Sequence, residues 1–361
     1  MNLLGKFKER VWSCPLFREV YILLEERNRF SEEARERFAK EKPQSGSYID
    51  YKDAFWKHRV TYSEYMYSYE FFRLTEEQRN EFISTSEMQC IYRKFGDKDV
   101  RNLFHDKVAF LNAFHAFVHR KWALAKDLSL DDFQSMLEQY DCIAKPIDGT
   151  RGHGISKLSA KEIEDWGSLY TRCVEDNLLL EQCVQAYDEI AEFHPSSLNT
   201  IRVVTISNNG KSVVFGALFR MGAHGSVIDN THAGGVYAPI NVETGTIEVD
   251  AIDSMNNHFL NHPDTGKPIK GFVIPKWKEI IETCKKASAA IPDIHFAGWD
   301  LCVTKDGFVE IIEGNHAPDF DGGMQAPLKM GVKKKLRRAM MDVMGIDPLP
   351  YVSIWRNCVK K

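Results

Sequence analysis

The sequence predicts an α+β protein led by a helical lobe, and three observations predict it. Residues 1 to 95 are rich in Glu, Arg, Phe and Tyr, hold few glycines and repeat their apolar residues at the helical period. Beyond residue 140, short β-rich runs mix with helical stretches without the regular βαβ spacing of a doubly wound sheet. Near the C-terminus, GWDLCVTKDGFVEIIEGNHAPDF, starting at Gly298, carries a hairpin signal among acidic and amide side chains.

In the first lobe, Ser31-Glu32-Glu33 and Thr75-Glu76-Glu77 read as helix starts. The aromatic residues from Tyr48 to Phe72 suit a hydrophobic core better than a sugar-binding groove. Leu3, Leu4, Phe7, Val11 and Trp12 share one helical stripe, which suits docking on the protein's own core or, with Lys6, Lys8 and Arg10, a membrane surface. Two helices follow at Arg101–Phe117 and Leu130–Gln139. Strands are expected at Asp141–Lys145, Leu178–Val184, Thr200–Ser207, Ser212–Met221 and Gly245–Val249, with helices at Lys276–Ala290 and Leu328–Met344.

At 361 residues and 43% hydrophobic content, the chain can bury a large core divided into two or three lobes. A net charge of -4 lacks the basic footprint of a general nucleic-acid binder, and Lys333-Lys334-Lys335-Leu336-Arg337-Arg338 reads as the solvated face of a helix. Eight cysteines with no C-x-x-C pair, several in apolar runs, fit a reducing compartment and a cytoplasmic protein. No apolar run of about 18 residues appears, and the N-terminus lacks a secretory pattern.

The C-terminal hairpin carries the chemistry. With Asp306-Gly307 as a two-residue type I′ loop between Leu301–Thr304 and Phe308–Ile312, Lys305 pairs with Phe308, Asp300 falls opposite Glu313, and Asn315 shares their face. Two facing carboxylates repel by about 0.2–1 kcal/mol in water and by more when buried, so the arrangement calls for a cation. Oxygen donors on a rigid hairpin suit magnesium, which takes its remaining ligands from water and phosphate. A three-residue loop would shift the register by one and spoil the pairing.

AKPIDGTRGHGI, from Ala144, places Lys145-Pro146 before a loop with Gly149, Gly152 and Gly154, and the chain resumes at Ile155–Leu158 as a strand. That excludes a Walker A or dinucleotide fingerprint, both of which open a helix. A strand-loop-strand flap can instead cradle phosphates with backbone N–H groups while Lys145 adds a charge. Leu178–Val184 turns polar at Glu181-Gln182, where backbone can meet an adenine edge. FRMGAHGSVIDNTHAGG, from Phe219, offers Arg220 for bidentate pairing with phosphate or carboxylate. His224 and His232 have no partners at zinc spacing. Arg202, within an apolar β run, needs an anion, either a structural carboxylate or a substrate. The chain has no G-x-S-x-G and no Cys–His pair that announces a nucleophile.

In this order the segments resemble the ATP-grasp superfamily, and in particular its sugar-transfer-associated family, through SSLNTIRVVT at Ser196–Thr205, the glycine loop after Lys-Pro and the GWD…EGN ending. The N-x-H-x-G-G segment and Arg220 are also similar to glutamate ligases that modify ribosomal proteins. The resemblance, over residues 85 to 340, implies two α+β lobes sandwiching ATP: residues 96–185 with the phosphate loop and 186–345 with the metal site, after a helical lobe at 1–95 and before a tail at 346–361. It implies Lys107 and Lys145 at the α- and β-phosphates, Gly149, Thr150, Arg151, Gly152, His153 and Gly154 as the mobile loop, and Glu181, Gln182 and Val184 at adenine. Asp188 or Glu189 would bind ribose and Asn230 the nucleotide. Asp300, Glu313 and Asn315 would hold magnesium, with manganese as an alternative, and Arg202 and Arg220 would sit near the γ-phosphate and an acceptor carboxylate. Gln182 stands where a second Glu is commoner, and the first hundred residues have no counterpart in the glutamate ligases.

The expected activity is that of an ATP-dependent carboxylate–amine ligase working through an acylphosphate, joining an amine or amino acid to a carboxylate such as a uronic acid. The family name implies surface-polysaccharide synthesis, which would place the protein in the cytoplasm or at the inner face of the membrane. The rivals are a small-molecule kinase on the same nucleotide site and a non-catalytic scaffold that docks glycosyltransferases.

Overall fold

In a computed structural model of the chain, residues 15–147, 154–226, 229, 234–319 and 321–349 are described. The chain forms two compact units: residues 1–94 with 329–341 and 346–361, and residues 95–328 with 342–345.

The first unit is helical. Helix α1 spans Pro15–Glu41 and runs straight through Ser31, where a helix start was expected. Phe30, Ala34 and Phe38 continue one apolar stripe across that point, so packing overrides the cap signal. Ser47 accepts from the Asp50 N–H to open α2, Tyr48–His58. Thr75 opens α3, Glu76–Arg79, in a reciprocal capping box whose partner is Gln78. Helix α4 spans Thr85–Phe95. Tyr51, Phe55, Tyr62, Tyr65 and Phe71 are all buried, and Tyr51 meets Tyr65 edge to face at 5.5 Å. These rings fill a core. The N-terminal stripe from Leu3 to Trp12 lies outside the described residues.

In the second unit, the stretch expected as one helix at Arg101–Phe117 is broken at Asp106. Its carboxylate accepts from the Val108 and Ala109 N–H groups, ending α5, Lys98–His105, and starting α6, Lys107–Ala113. A 3-10 turn, His115–Phe117, follows. Strands β1 (Trp122–Leu124), β2 (Cys142–Pro146), β3 (Ser156–Leu158) and β4 (Leu178–Gln182) form an antiparallel sheet in the order β1-β4-β2-β3. Helices α7, Leu130–Gln139, and α8, Trp166–Glu175, bring Phe133, Leu137 and Cys173 onto Cys142, Ala144 and Leu180.

After the short helix α9, Asp188–Ala191, come β5 (Thr200–Asn208), β6 (Lys211–Met221), β7 (Val236–Pro239), β8 (Ala251–Ile252) and β9 (His258–Phe259). Helix α10, Trp277–Ala289, precedes β10 (Phe296–Val303) and β11 (Val309–Asn315). They make a seven-stranded sheet, β11-β10-β5-β6-β7-β8-β9. Gly245–Val249 is not a strand. Its residues make only isolated bridges, Ile247 to Ile240 and Thr246 to Val273. The expected helix Leu328–Met344 is instead the end of α11, Asp321–Leu328, and a separate α12, Lys333–Met344, parted where Lys329 takes a left-handed φ of 48°. The basic run of α12 is not simply solvated, since Lys333 is paired with Glu87 at 2.9 Å and mostly buried. Among the described residues no helix is long and apolar enough to cross a membrane.

Strand alternation sorts the large sheet into a wet and a dry face. Ile201, Val203, Phe219 and Trp299 join Trp277, Ile280 and Cys284 of α10 in the main core. Phe104 and Phe114 close over Trp299 at ring distances of 5.6 and 5.1 Å. Beneath them Gly314 leaves no room for a side chain: a Cβ there would lie 2.5 Å from Phe104 and 2.6 Å from Phe110. Gly314→Ala is therefore expected to destabilise the protein by about 1–3 kcal/mol through overpacking, read as an earlier midpoint in urea or heat denaturation with the fold retained.

Candidate active site

Asp300 stands directly opposite Glu313, and Gly298 opposite Asn315, but not through the turn that was expected. Gly307 alone takes a positive φ, 83°, and donates its N–H to the Thr304 carbonyl at 2.8 Å, while the Thr304 N–H donates to the Phe308 carbonyl. The Thr304 hydroxyl accepts from the Phe308 N–H. The loop is thus Lys305-Asp306-Gly307, three residues long, with glycine in the left-handed position. It shifts the register by one, so that Val303 faces Val309 and Leu301 faces Ile311. A bulge at Ile312 then shifts it back. Two irregularities cancel, and the carboxylates meet.

A charged row crosses the wet face of the sheet. Asp300 pairs in the ladder with Arg202 of β5, and Arg220 lies on β6 opposite Thr200. Arg202 grips Asp300 with Nε on Oδ1 and Nη2 on Oδ2, the latter at 2.6 Å. Arg220 Nη1 reaches the same Oδ2 at 2.9 Å and its Nη2 lies 3.7 Å from Asp229. Asp229 in turn accepts from the Thr200 N–H at 2.9 Å. The anion that Arg202 needs is a carboxylate of the protein itself. Burial opposes ionisation of Asp300, but Arg202 and Arg220 outweigh it and hold its pKa down at about 2. Glu313, itself exposed, behaves oppositely: desolvation beside the buried Asp300, then the Asp300 charge, push its pKa up. The two carboxyls influence one another, and of the two Glu313 is the first to take up a proton as pH falls. The Asn315 Nδ2 is buried without a partner.

This donor set fits a hard divalent cation. Two facing carboxylates and an orphaned amide mark a place where a cation would relieve the repulsion and take up amide oxygen after a side-chain flip. Among the described residues no group of three His, Cys, Asp or Glu side chains could hold a metal; the present set is two carboxylates and an amide. His224 is exposed, 3.9 Å from Asp264, and His232 lies outside the described residues.

Lys107 and Lys145 converge on the mouth of the glycine loop. Lys107, first residue of α6, donates from Nζ to the Ile147 carbonyl at 2.9 Å. Lys145, on β2, is ion-paired through Nζ to Glu181 Oε1. Gly149, Thr150, Arg151, Gly152 and His153 lie outside the described residues, as does Asn230, but the loop's two ends meet: a Cβ on Gly154 would lie 2.9 Å from Pro146. The chain resumes as strand β3.

Glu181 is turned inward, 4% exposed, so only the backbone of its segment is left to meet a ligand. Gln182 and Cys183 donate their N–H groups to Lys121 and Asp141, and Val184 continues into the crossing to α9. Asp188 and Glu189 lie exposed in the first turn of that helix. It is tied to the large sheet by the Tyr187 N–H on the Val303 carbonyl at 2.8 Å.

Sequence reasoning missed Arg120, Glu310 and Asp229. Arg120, 7% exposed, binds Glu181 at 2.5 Å and Glu310 at 2.8 Å. His119-Arg120-Lys121 looks like an ordinary surface run. The available signal lay in its partners, since Glu181 and Glu310 each interrupt an apolar strand and need a cation.

A family model described as sugar-transfer associated ATP-grasp matches residues 77–339. Among solved structures, the chain is similar to the ATP-grasp ligase PsnB complexed with minimal precursor, Mg and ADP, at 14% identity and a TM-score of 0.40, covering 64% of this chain and 56% of that one. It is also similar to the ADP complex of purK, N5-carboxyaminoimidazole ribonucleotide synthetase, at 12% and 0.39, covering 63% and 52%. The biotin carboxylase ATP-analogue complex from Campylobacter jejuni gives 13% and 0.39, covering 70% and 46%. The chain therefore spans only 46–56% of the length of these solved chains. No curated protein matches it.

The carboxylate pair sets a pH signature for the metal-free protein. Glu313 keeps its proton to higher pH when folded than when unfolded, so its contribution is favourable in acid and is lost as pH rises through the folded value. Glu313→Gln, a neutral mimic of the protonated form, is expected to be more stable than the parent at neutral pH in chelator. The gain should vanish below the ordinary glutamate value near 4.5, as read by urea denaturation across pH. Asp300→Asn should instead cost about 3–5 kcal/mol at neutral pH by leaving two buried guanidiniums without their anion.

Proposed function

The chain belongs to the sugar-transfer-associated ATP-grasp family and has its α+β fold, and on that premise we propose that it is an ATP-dependent ligase joining a carboxylate to an amine. The observation that carries this reading is the facing Asp300–Glu313 pair, with Asn315 beside it and Arg202 and Arg220 along the same sheet face. A site built to hold a cation next to two guanidiniums suits the transfer of a phosphoryl group, in which catalysis is chiefly positioning and charge stabilisation.

In this reading Lys107 and Lys145 draw the α- and β-phosphates to the mouth of the loop, whose residues 149–154 cover them. The backbone around Glu181, Gln182 and Val184 receives adenine, and Asp188 or Glu189 binds ribose. Asp300, Glu313 and Asn315 would hold magnesium or manganese, which when bound would neutralise charge on the phosphates. Arg202 and Arg220 orient the γ-phosphate and the substrate carboxylate. A carboxylate oxygen attacks the γ-phosphorus and the bond to the ADP oxygen breaks, giving an acylphosphate and ADP. An amine then attacks the acyl carbon, loses a proton and expels inorganic phosphate, leaving an amide.

The family's association with sugar transfer favours a uronic acid or similar sugar acid as the carboxylate and an amino acid as the amine, with glycosyltransferases as neighbours in surface-polysaccharide synthesis. A cytoplasmic site, with or without peripheral attachment to the membrane, fits such substrates.

The experiment is an ADP-release screen of sugar acids crossed with amino acids. Release that requires both a carboxylate and an amine, and that falls by about a hundredfold or more in Glu313→Ala, is the expected result. A phosphorylated product formed without amine would make the protein a kinase, and no ATP consumption with any pair would favour the scaffold.

A further inference from the structure

We propose that Arg120 is a positioning residue that sets both halves of the nucleotide site at once: Lys145 on the small sheet and the Glu313–Asn315 segment on the large one. The inference rests on the reading of that site given above.

The Arg120 side chain is 3% exposed and spends its donors in two directions. Nε binds Glu181 Oε2 at 2.5 Å, and the other oxygen of Glu181 holds the Lys145 ammonium. Nη1 binds Glu310 Oε1 and the Ile311 carbonyl, both at 2.8 Å, and Nη2 binds the Ile312 carbonyl at 2.9 Å. Ile312 is the bulge residue that restores the register between Asp300 and Glu313. The backbone N–H groups of His119 and Arg120 also donate to Glu310 Oε1, so the anchor on β11 is gripped from three directions. Arg120 thus fixes the bulge that aligns the carboxylates and, through one intervening glutamate, the lysine facing them.

The donor count explains why this is an arginine. A guanidinium offers five N–H groups in a planar fork and stays charged when buried, whereas an ammonium offers three from one point and cannot span two carboxylates and two carbonyls. Buried ion networks are weak sources of stability compared with apolar packing, so this network is better explained by the geometry it imposes than by the free energy it adds. Glu181 stays ionised within it, burial being outweighed by Lys145 and Arg120.

Calorimetric titration of ADP into the full chain, with and without magnesium, tests this. Lys145→Met should weaken metal-free ADP binding, and Glu313→Ala should remove the tightening by magnesium. Arg120→Lys should do both, each by about tenfold, while still melting cooperatively. The double variant Arg120→Lys/Lys145→Met should bind metal-free ADP no more weakly than the worse single variant, since both act through one ammonium. Should Arg120→Lys fail to fold, Glu310→Gln, which loosens the anchor on β11, should lose the magnesium effect. If the folded Arg120 or Glu310 variant lowers only the melting temperature and keeps both affinities, while the Lys145 and Glu313 variants lose theirs, the inference is overturned and the site reading stands. If the parent protein binds no ADP, the reading fails and the inference falls with it.

Discussion

A carboxylate at 2% exposure stays ionised only where cations meet it, and Asp300 is met by two. Its position on β10, between β11 and β5, makes that contact the organising constraint of the site. Arg202 and Arg220 approach from the strands on one side and are thereby straightened across the sheet face. Glu313 approaches from the strand on the other side, and the Asp300 charge helps push its pKa up. The same ladder carries Trp299 and Leu301 on its opposite face into the main core. The electrostatics of one face are therefore coupled to the packing of the other, since neither can shift register without the other.

The second half of the site is built differently. On the small sheet, Lys145 is aimed by a glutamate that strand alternation has turned inward, and Lys107 by a helix start that Asp106 creates. Neither lysine is held by the large sheet directly. Arg120 supplies the link, and it does so on the short stretch between the 3-10 turn and β1, where both sheets come within reach of one side chain.

Much of this was legible in the chain itself. The strand-loop-strand character of the glycine segment, the helical lobe, and the facing of Asp300 with Glu313 all follow from local pattern. The last was reached through a loop of the wrong length. Thr304 supplies both a carbonyl and a hydroxyl to the turn, favouring three residues over two, and the compensating bulge at Ile312 depends on a guanidinium nearly two hundred residues away in sequence. Asn209-Gly210, both at positive φ between Asn208 and Lys211, is the true two-residue hairpin, and its Asn-Gly signal lay in the open. The break at Asp106 was visible as a cap residue inside an apolar repeat. Arg120, Glu310 and Asp229 were not: each owes its position to a partner on another strand or loop, and period and propensity carry no information about pairing at that distance.

The cysteines of the second unit form a set of internal clocks. Cys142 lies sealed in the small sheet, Cys284 in the core of the large one and Cys302 on the other face of β10 opposite Glu310, all at 0% exposure. Burial pushes the Cys142 thiol up to about 12 and the other two upward as well. An alkylating reagent needs thiolate and access, so it can reach these sulfurs only when the surrounding layer comes apart. The rate at which each is modified therefore times the breathing of one layer independently of the other, and a bound nucleotide that clamps the layers together would slow both clocks in step.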